Sequence, residues 1–280
     1  MVLTYINSNG EHISFGRKED YKLLEVSGFS AAEITVLTSS GYMQNGATYR
    51  ASQLSGRLFT ITIDDVKGSY EELAESRMKL ARVLNPLLSG QLFINNGIDQ
   101  YFVNCVVYEG PTPIYGGSNV FQEYEIAFYS AYPFIRGSIE HSVKMAGFQG
   151  GMTLPYSLPY SLGTQGDIIT INYSGSIDAP LLVEFRGPAV HPRITKKQTG
   201  EYIAVDETLL EGETLWIDTT PKAVEVYTLD SSENKVAADQ KTDPLSTYFG
   251  LTKGQNTIEF AANSGTPEVY LHWYDQFVGV

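Results

Sequence analysis

Four histidines, one cysteine and 32 acidic side chains are the groups from which this chain could build a catalytic or metal centre. Their spacing argues against both. His12, His141, His191 and His272 stand far apart, with no His-Glu-x-x-His or His-x-His pattern, and one cysteine is too few for the usual zinc sets. Asp64-Asp65 is the only adjacent aspartate pair. Neighbours on a strand point to opposite faces, so the pair is expected to be a solvated strand end rather than a pair of ligands. The calcium-loop pattern is absent, as are the Gly-x-Ser-x-Gly nucleophile elbow and the phosphate-cradling Gly-x4-Gly-Lys-Ser/Thr loop. Paired carboxylates for glycoside hydrolysis exist in any chain this acidic and carry no signal. The expectation is a protein that is not an enzyme, with no catalytic residue, no cofactor and no metal.

Two single residues remain. Cys105 sits in an alternating apolar segment and reads as a small core hydrophobe, not a nucleophile. A lone cysteine also excludes an intramolecular disulfide and fits folding in a reducing compartment. Trp216, in Thr214-Leu215-Trp216-Ile217-Asp218, takes the strand face opposite Leu215 and Ile217. An aromatic ring on a β-sandwich can stack on the C–H face of a sugar, which makes Trp216 a candidate glycan residue. The competing reading, that it packs under a loop or against a neighbouring domain, is favoured.

The elements that would hold such groups follow from composition. At 280 residues, 42% hydrophobic and 12% aromatic, the chain can bury a large core and is long enough for two domains. No run of apolar residues exceeds four, so no membrane-spanning helix is expected. The opening Met1-Val2-Leu3-Thr4-Tyr5-Ile6-Asn7 has neither a basic nor an apolar region of the secretory kind, so no secretory signal is expected. A net charge of −13 without a basic stripe argues against direct nucleic-acid binding.

Residues 1–63 read as short strands. Asn9-Gly10 predicts a hairpin turn of the I′ kind, and 57–63 alternates with Phe59, Ile61 and Ile63 on one face. One helix follows. Ser69 and Glu72 form a capping box, Tyr70, Leu73, Leu80, Ala81 and Leu84 make its apolar face, and Arg77 interrupts that face with its alkyl stem laid along it. Pro86 ends the helix, which is expected to cover one face of a sheet. A hairpin at 91–108 turns at Asn96-Gly97, and 123–129 alternates again.

Composition changes after Tyr132-Pro133-Phe134. The stretch 137–166 is rich in glycine and holds the proline-containing tandem at 154–162, so it reads as a linker or an extended arm, with the domain boundary near 136–145. From 167 onward, short apolar segments alternate with turn clusters and no helical pattern survives, which predicts a β-sandwich or barrel. The fold class is mainly β with one helix, in two domains, 1–138 and 139–280.

Phe59-Thr60-Ile61-Thr62-Ile63, the helix at 70–86 and Gly90-Gln91-Leu92-Phe93-Ile94 follow one another in an order that resembles the distal tail (Dit) proteins of long, flexible-tailed siphoviruses. Tyr101-Phe102-Val103-Asn104-Cys105-Val106 and Phe121-Gln122-Glu123-Tyr124-Glu125-Ile126-Ala127-Phe128 continue the resemblance. Gly212-Glu213-Thr214-Leu215-Trp216-Ile217-Asp218-Thr219, Gly250-Leu251-Thr252-Lys253-Gly254-Gln255-Asn256-Thr257-Ile258 and Trp273-Tyr274 carry it to the second half. The resemblance implies an N-terminal ring-forming belt domain and a C-terminal galectin-like β-sandwich. It implies a homo-hexameric hub at the distal end of the virion's tail, assembled in the cytoplasm of the bacterial host. Its partners would be the tail tube protein, tail-tip and tape-measure-associated proteins, and receptor-binding or baseplate proteins. It supplies no catalytic residues. Galectin-like shape does not entail sugar binding, and no galectin-type cluster of His, Asn, Arg and Glu can be placed around Trp216 from the sequence. A carbohydrate-binding accessory protein at a bacterial surface is the alternative; a ring needs a large symmetric assembly, whereas a lectin needs only a ligand-facing groove.

Overall fold

Side chains alternate across a strand, so a strand with one apolar face fixes which partner register can bury it. In the computed structural model this rule builds two units. Residues 1–30, 33–114, 118–146, 165–221 and 223–280 are described; the tandem at 154–162 lies outside them. The units are Met1–Ser138 with Phe277–Val280, and Ile139–Gln276.

The first unit contains β1 (Val2–Asn7), β2 (His12–Gly16), β3 (Tyr21–Ser27), β4 (Ile34–Ser39), β5 (Thr48–Leu54), β6 (Arg57–Val66), α1 (Tyr70–Val83), β7 (Ser89–Asn95), β8 (Gln100–Pro113), β9 (Phe121–Ser130) and the start of β10 (Ile135–Ala146). Seven of these strands close a barrel in the order β8-β7-β1-β2-β3-β6-β9, with β9 pairing back onto β8. Phe59, Ile61 and Ile63 meet Phe128, Ile126 and Tyr124 in register, and all six are fully buried. Closure depends on β8, whose pairing with β9 shifts at Val107/Glu109 and again at Glu109/Thr112. Such bulges bend a strand, and here the bend lets one strand pair with β7 and then with β9.

Several local expectations change. The helix does cover one face of a sheet, but that sheet closes on itself, and α1 with its capping Leu84 contributes Leu80, Val83 and Leu84 to the barrel's own core. Its buried face is Leu73, Ser76, Leu80 and Val83; Tyr70 and Ala81 are exposed, because the helix is rotated so that Ser76 can donate to the Tyr21 hydroxyl at 3.0 Å. Ser69 caps the helix as predicted, accepting from Glu72 N at 3.2 Å, while the Glu72 carboxylate accepts from Gly68 N at 2.9 Å. Arg77 does not lie along the stripe; its Nε donates to the Tyr124 hydroxyl at 3.2 Å. The β1–β2 turn is longer than a two-residue I′ turn. Asn7 N donates to Glu11 O, and the Asn7 side chain accepts from Asn9 N and Glu11 N while donating to Val83 O near the end of α1. Gly10 supplies the left-handed position at φ +81°.

Asp65 is the sharpest correction. It is fully buried, not solvated, and Lys67 Nζ lies 3.1 Å from its Oδ1 and 5.0 Å from the Tyr21 ring centroid. Residues 137–146, read as the start of a linker or arm, instead continue a strand that begins at Ile135, and the division between the two units falls within that strand, after Ser138.

The second unit holds the remainder of β10, then β11 (Gln165–Tyr173), β12 (Leu182–Arg186), β13 (Ala189–Val190), β14 (Arg193–Lys196), β15 (Tyr202–Ala204), β16 (Thr208–Leu209), β17 (Thr214–Asp218), β18 (Glu225–Leu229), β19 (Lys235–Ala237), β20 (Gly254–Ala262), β21 (Ser264–Gly265) and β22 (Glu268–Phe277). One sheet runs β19-β18-β17-β12-β22-β10 and the facing one β11-β20-β14-β15. Val183, Phe185, Leu215, Ile217, Val269 and Leu271 from the first meet Ile194, Ile203, Ile258 and Phe260 from the second in one core. Phe185 and Phe260 meet edge to face at 6.4 Å across it. This is the β-sandwich that the alternating segments predict.

Candidate functional site

Two surfaces stand out, one in each unit, and neither is a catalytic cleft. The first is an arm. Among the described residues β4 and β5 pair only with each other, from Ile34↔Leu54 to Ser39↔Thr48. No residue of either strand is buried: Ile34, Val36, Leu37 and Tyr49 are all exposed, and Tyr42 at the tip is 97% exposed. Side-chain bonds preform it nonetheless, with Arg50 Nε donating to Ser39 Oγ at 2.8 Å and Gly41 N donating to Gln44 Oε1 at 2.8 Å.

Composition sets the arm apart from the rest of the chain. A two-stranded hairpin is at best marginally stable in water, and its outer edges offer unpaired N–H and C=O groups. In a chain that is 18% charged, Arg50 is the only charged side chain between 34 and 54. Depletion of charge around exposed aromatic and aliphatic groups is the composition of an interface core. A second apolar row lies on the outside of the barrel. Leu58 faces Tyr129, Tyr129 faces Val106, and Tyr108 packs against Tyr129 at 6.4 Å.

The other surface is the outer face of the sandwich around Trp216. Strand register places Trp216 beside Tyr227 on β18 and Glu184 on β12. The indole stacks on Tyr227 at 6.5 Å and 17°, and on His272 at 6.1 Å and 28°. Trp216 and His272 therefore lean together over Glu184, which explains why that carboxylate is buried. Glu184 accepts from Arg186 Nε at 2.6 Å and lies 3.4 Å from His272 Nε2. His272 Nδ1 in turn lies 3.7 Å from Glu140. Polar residues thus do gather around Trp216, drawn from strands some 30 to 76 positions distant in sequence, where spacing gives no hint of them.

Chemically, this cluster is largely satisfied from within. Arg186 is paired with Glu184, Lys235 with Glu225, and Lys144 with Glu268. Trp216 has a ring on either side, Tyr227 and His272, and its Nε1 is buried without a partner. A sugar platform needs a free ring face and unpaired polar groups beside it. Trp216→Ala removes two stacking contacts worth roughly 0.5–1.5 kcal/mol each, so a loss of about 2 kcal/mol is expected. Urea unfolding followed by the remaining Trp273 measures it. A loss below about 0.5 kcal/mol, together with wild-type glycan-array binding that the variant lacks, would make the indole a ligand platform instead.

Comparison with known proteins bears on each unit. A family model described as a phage tail protein RIFT-related domain matches residues 8–130, and one described as a siphovirus-type tail component, C-terminal domain, matches residues 174–277. A search of curated proteins finds no match. Among solved structures, the Dit protein of phage SPP1, described as a paradigm of the hub adsorption apparatus in phages infecting Gram-positive hosts, aligns with a TM-score of 0.67 at 13% identity, covering 99% of this chain and 100% of that one. The phage p2 baseplate in its activated conformation aligns at 0.56 with calcium and 0.55 with strontium, each at 11% identity and covering 97% of this chain and 98% of that one. At such identities the structures speak for the fold, and the family models speak for the lineage. With a phage tail model matched in each half and the full-length Dit fold between them, this chain belongs to the Dit-type tail proteins of siphoviruses and is a structural component of a phage tail.

Proposed function

We propose that the chain forms a homo-hexameric ring at the distal end of the tail, joining the tail tube to the tail tip and carrying receptor-binding or baseplate proteins, without catalysis. The observation that carries this reading is the arm. A ring of identical subunits needs two different complementary surfaces on each copy, related by a rotation that closes. The arm, with Arg50 its one charged side chain, is one such surface, and the Leu58–Tyr129–Val106 row offers apolar area for the second. Both belong to the first unit. Closing the barrel pairs its strands internally, so the free edges that could pair between copies lie on the arm.

Light scattering from micromolar to near-millimolar protein tests this, because singly weak interfaces assemble only when concentrated. The mass is expected to rise from one chain to six and then to stop. Residues 139–276 alone should fold and stay monomeric. A mass fixed at one chain throughout, with tail tube protein added, sinks the ring.

A further inference from the structure

Arg57 stands where the arm's outgoing leg re-enters the barrel, and Gly28 ends the incoming leg. Arg57 is buried, at 4% exposure, and among the described residues no carboxylate meets its guanidinium. Nε donates to Gly28 O at 2.6 Å, and Nη1 donates to Val278 O at 2.6 Å and to Pro133 O at 3.3 Å. Nη2 is buried without a partner, and the Phe59 ring lies 5.1 Å away. Burial pulls the group below arginine's ordinary pKa. A buried cation offset only by carbonyl dipoles is costly, and an apolar side chain would fill the same space at lower cost. What the guanidinium does that an apolar chain cannot is tie together carbonyls from three separate segments.

One of those segments is the stretch 277–280. Phe277 packs edge-on against Tyr101 at 5.4 Å and 85°. Val280 N donates to Phe29 O at 3.1 Å. Gly279 approaches so closely that a Cβ there would sit 2.0 Å from Ser30 O. Residues 278–280 therefore back directly onto 28–30, the residues that lead toward the arm. The arm needs such a support: no residue of β4 or β5 is buried, so nothing along its own length holds it to the barrel.

We propose that residues 277–280 are a strap which, through Arg57 and the contact of Gly279 with Ser30, fixes the direction in which the arm leaves the barrel, and that ring assembly requires the strap in place. The second half of this rests on the arm's role in the ring. An arm that swings freely must be ordered when it docks, and that entropy is subtracted from affinity; a held arm has been ordered during folding.

The test compares full-length protein with Gly279→Ala, which crowds the strap off Ser30, and Arg57→Met, which removes its donors. Spin labels go on cysteines placed at Tyr42, on the arm tip, and at Ile98, in the β7–β8 turn, both at least 90% exposed. Native Cys105 does not compete, because it is buried and its thiol is pushed up to about 12. Labelled chains are diluted with unlabelled ones, so the dipolar distance reports one chain. The single narrow distribution of the parent is expected to broaden about twofold in each variant, and the half-assembly concentration to rise about tenfold. An unchanged distribution in Gly279→Ala, with the chain folded, overturns the strap even if Arg57→Met fails to fold. Broadening with assembly unmoved overturns the dependence of assembly on it. If the parent never assembles, the ring reading fails, and the distance distribution still decides whether the strap holds the arm.

Discussion

Replacing residues 34–54 with a short glycine turn is expected to abolish assembly and to leave both units folded. The arm shares no ladder with the barrel, and none of its residues is part of the buried core, so its removal deletes no packing. Ser27 and Thr60 still face each other where its legs meet. In light scattering the shortened chain should remain at the mass of one chain at concentrations where wild type has reached its plateau. A gentler variant separates loss of the arm from loss of its apolar surface. Ile34→Glu with Val36→Glu places two charges on one exposed face; exposed substitutions of this kind usually change stability by less than about 0.5 kcal/mol, while charges buried against an apolar partner cost several. Assembly should weaken by about a hundredfold or more with melting unchanged. Rings of normal mass from both variants would show that the subunits meet elsewhere.

Much of the barrel is legible in the sequence because alternation is a local property. Phe59, Ile61 and Ile63 announce a half-buried strand without reference to any partner, and Tyr124, Ile126 and Phe128 do the same. The capped helix and the Asn96-Gly97 hairpin are likewise decided within a few residues. Closure is not local. It rests on two register shifts in β8 that no turn residue or periodicity marks. The arm is similar: its strands have ordinary strand composition, but nothing in the pattern says that neither face finds a neighbour. Its one readable sign is the near absence of charge over 34–54 in a strongly acidic chain.

The polar features are hidden for the same reason. Glu184 and His272 come within reach of Trp216 only because β17, β12 and β22 are adjacent in the sheet. Arg57 opens a strand and shares its core-side face with Phe59, but an arginine at a strand end is normally expected to reach water; carbonyls of Gly28, Pro133 and Val278, far apart in sequence, close over it. The family resemblance supplies the order of elements but no side-chain partners at these sites.

Asp65 shows how far a local rule can mislead, and it carries the second large effect. It alternates with Ile63 and so faces the core side, but an aspartate at a strand end is normally expected to reach water. Here it is sealed, with Lys67 as its neighbouring cation at 3.1 Å, offset from good hydrogen-bond geometry. Lys67 is itself held over Tyr21 and keeps 20% of its side chain exposed. Removing one partner of a buried pair strands the other charge, at a cost of 3–5 kcal/mol; because Lys67 touches solvent, Lys67→Met should cost about 3 kcal/mol. Asp65→Asn removes the charge and keeps the shape, and should cost under about 1 kcal/mol. The double variant should then recover most of the loss, giving a coupling of about 2 kcal/mol. Both tryptophans, Trp216 and Trp273, lie in the second unit, so their fluorescence in urea serves as an internal control. Amide exchange along β6 and β9 reads the barrel itself. Slow-exchanging amides there should lose protection by about a hundredfold in Lys67→Met while the tryptophan transition stays in place. If Lys67→Met is as mild as Asp65→Asn, water reaches the carboxylate when the lysine is gone, and the pair is not what keeps the strand end closed.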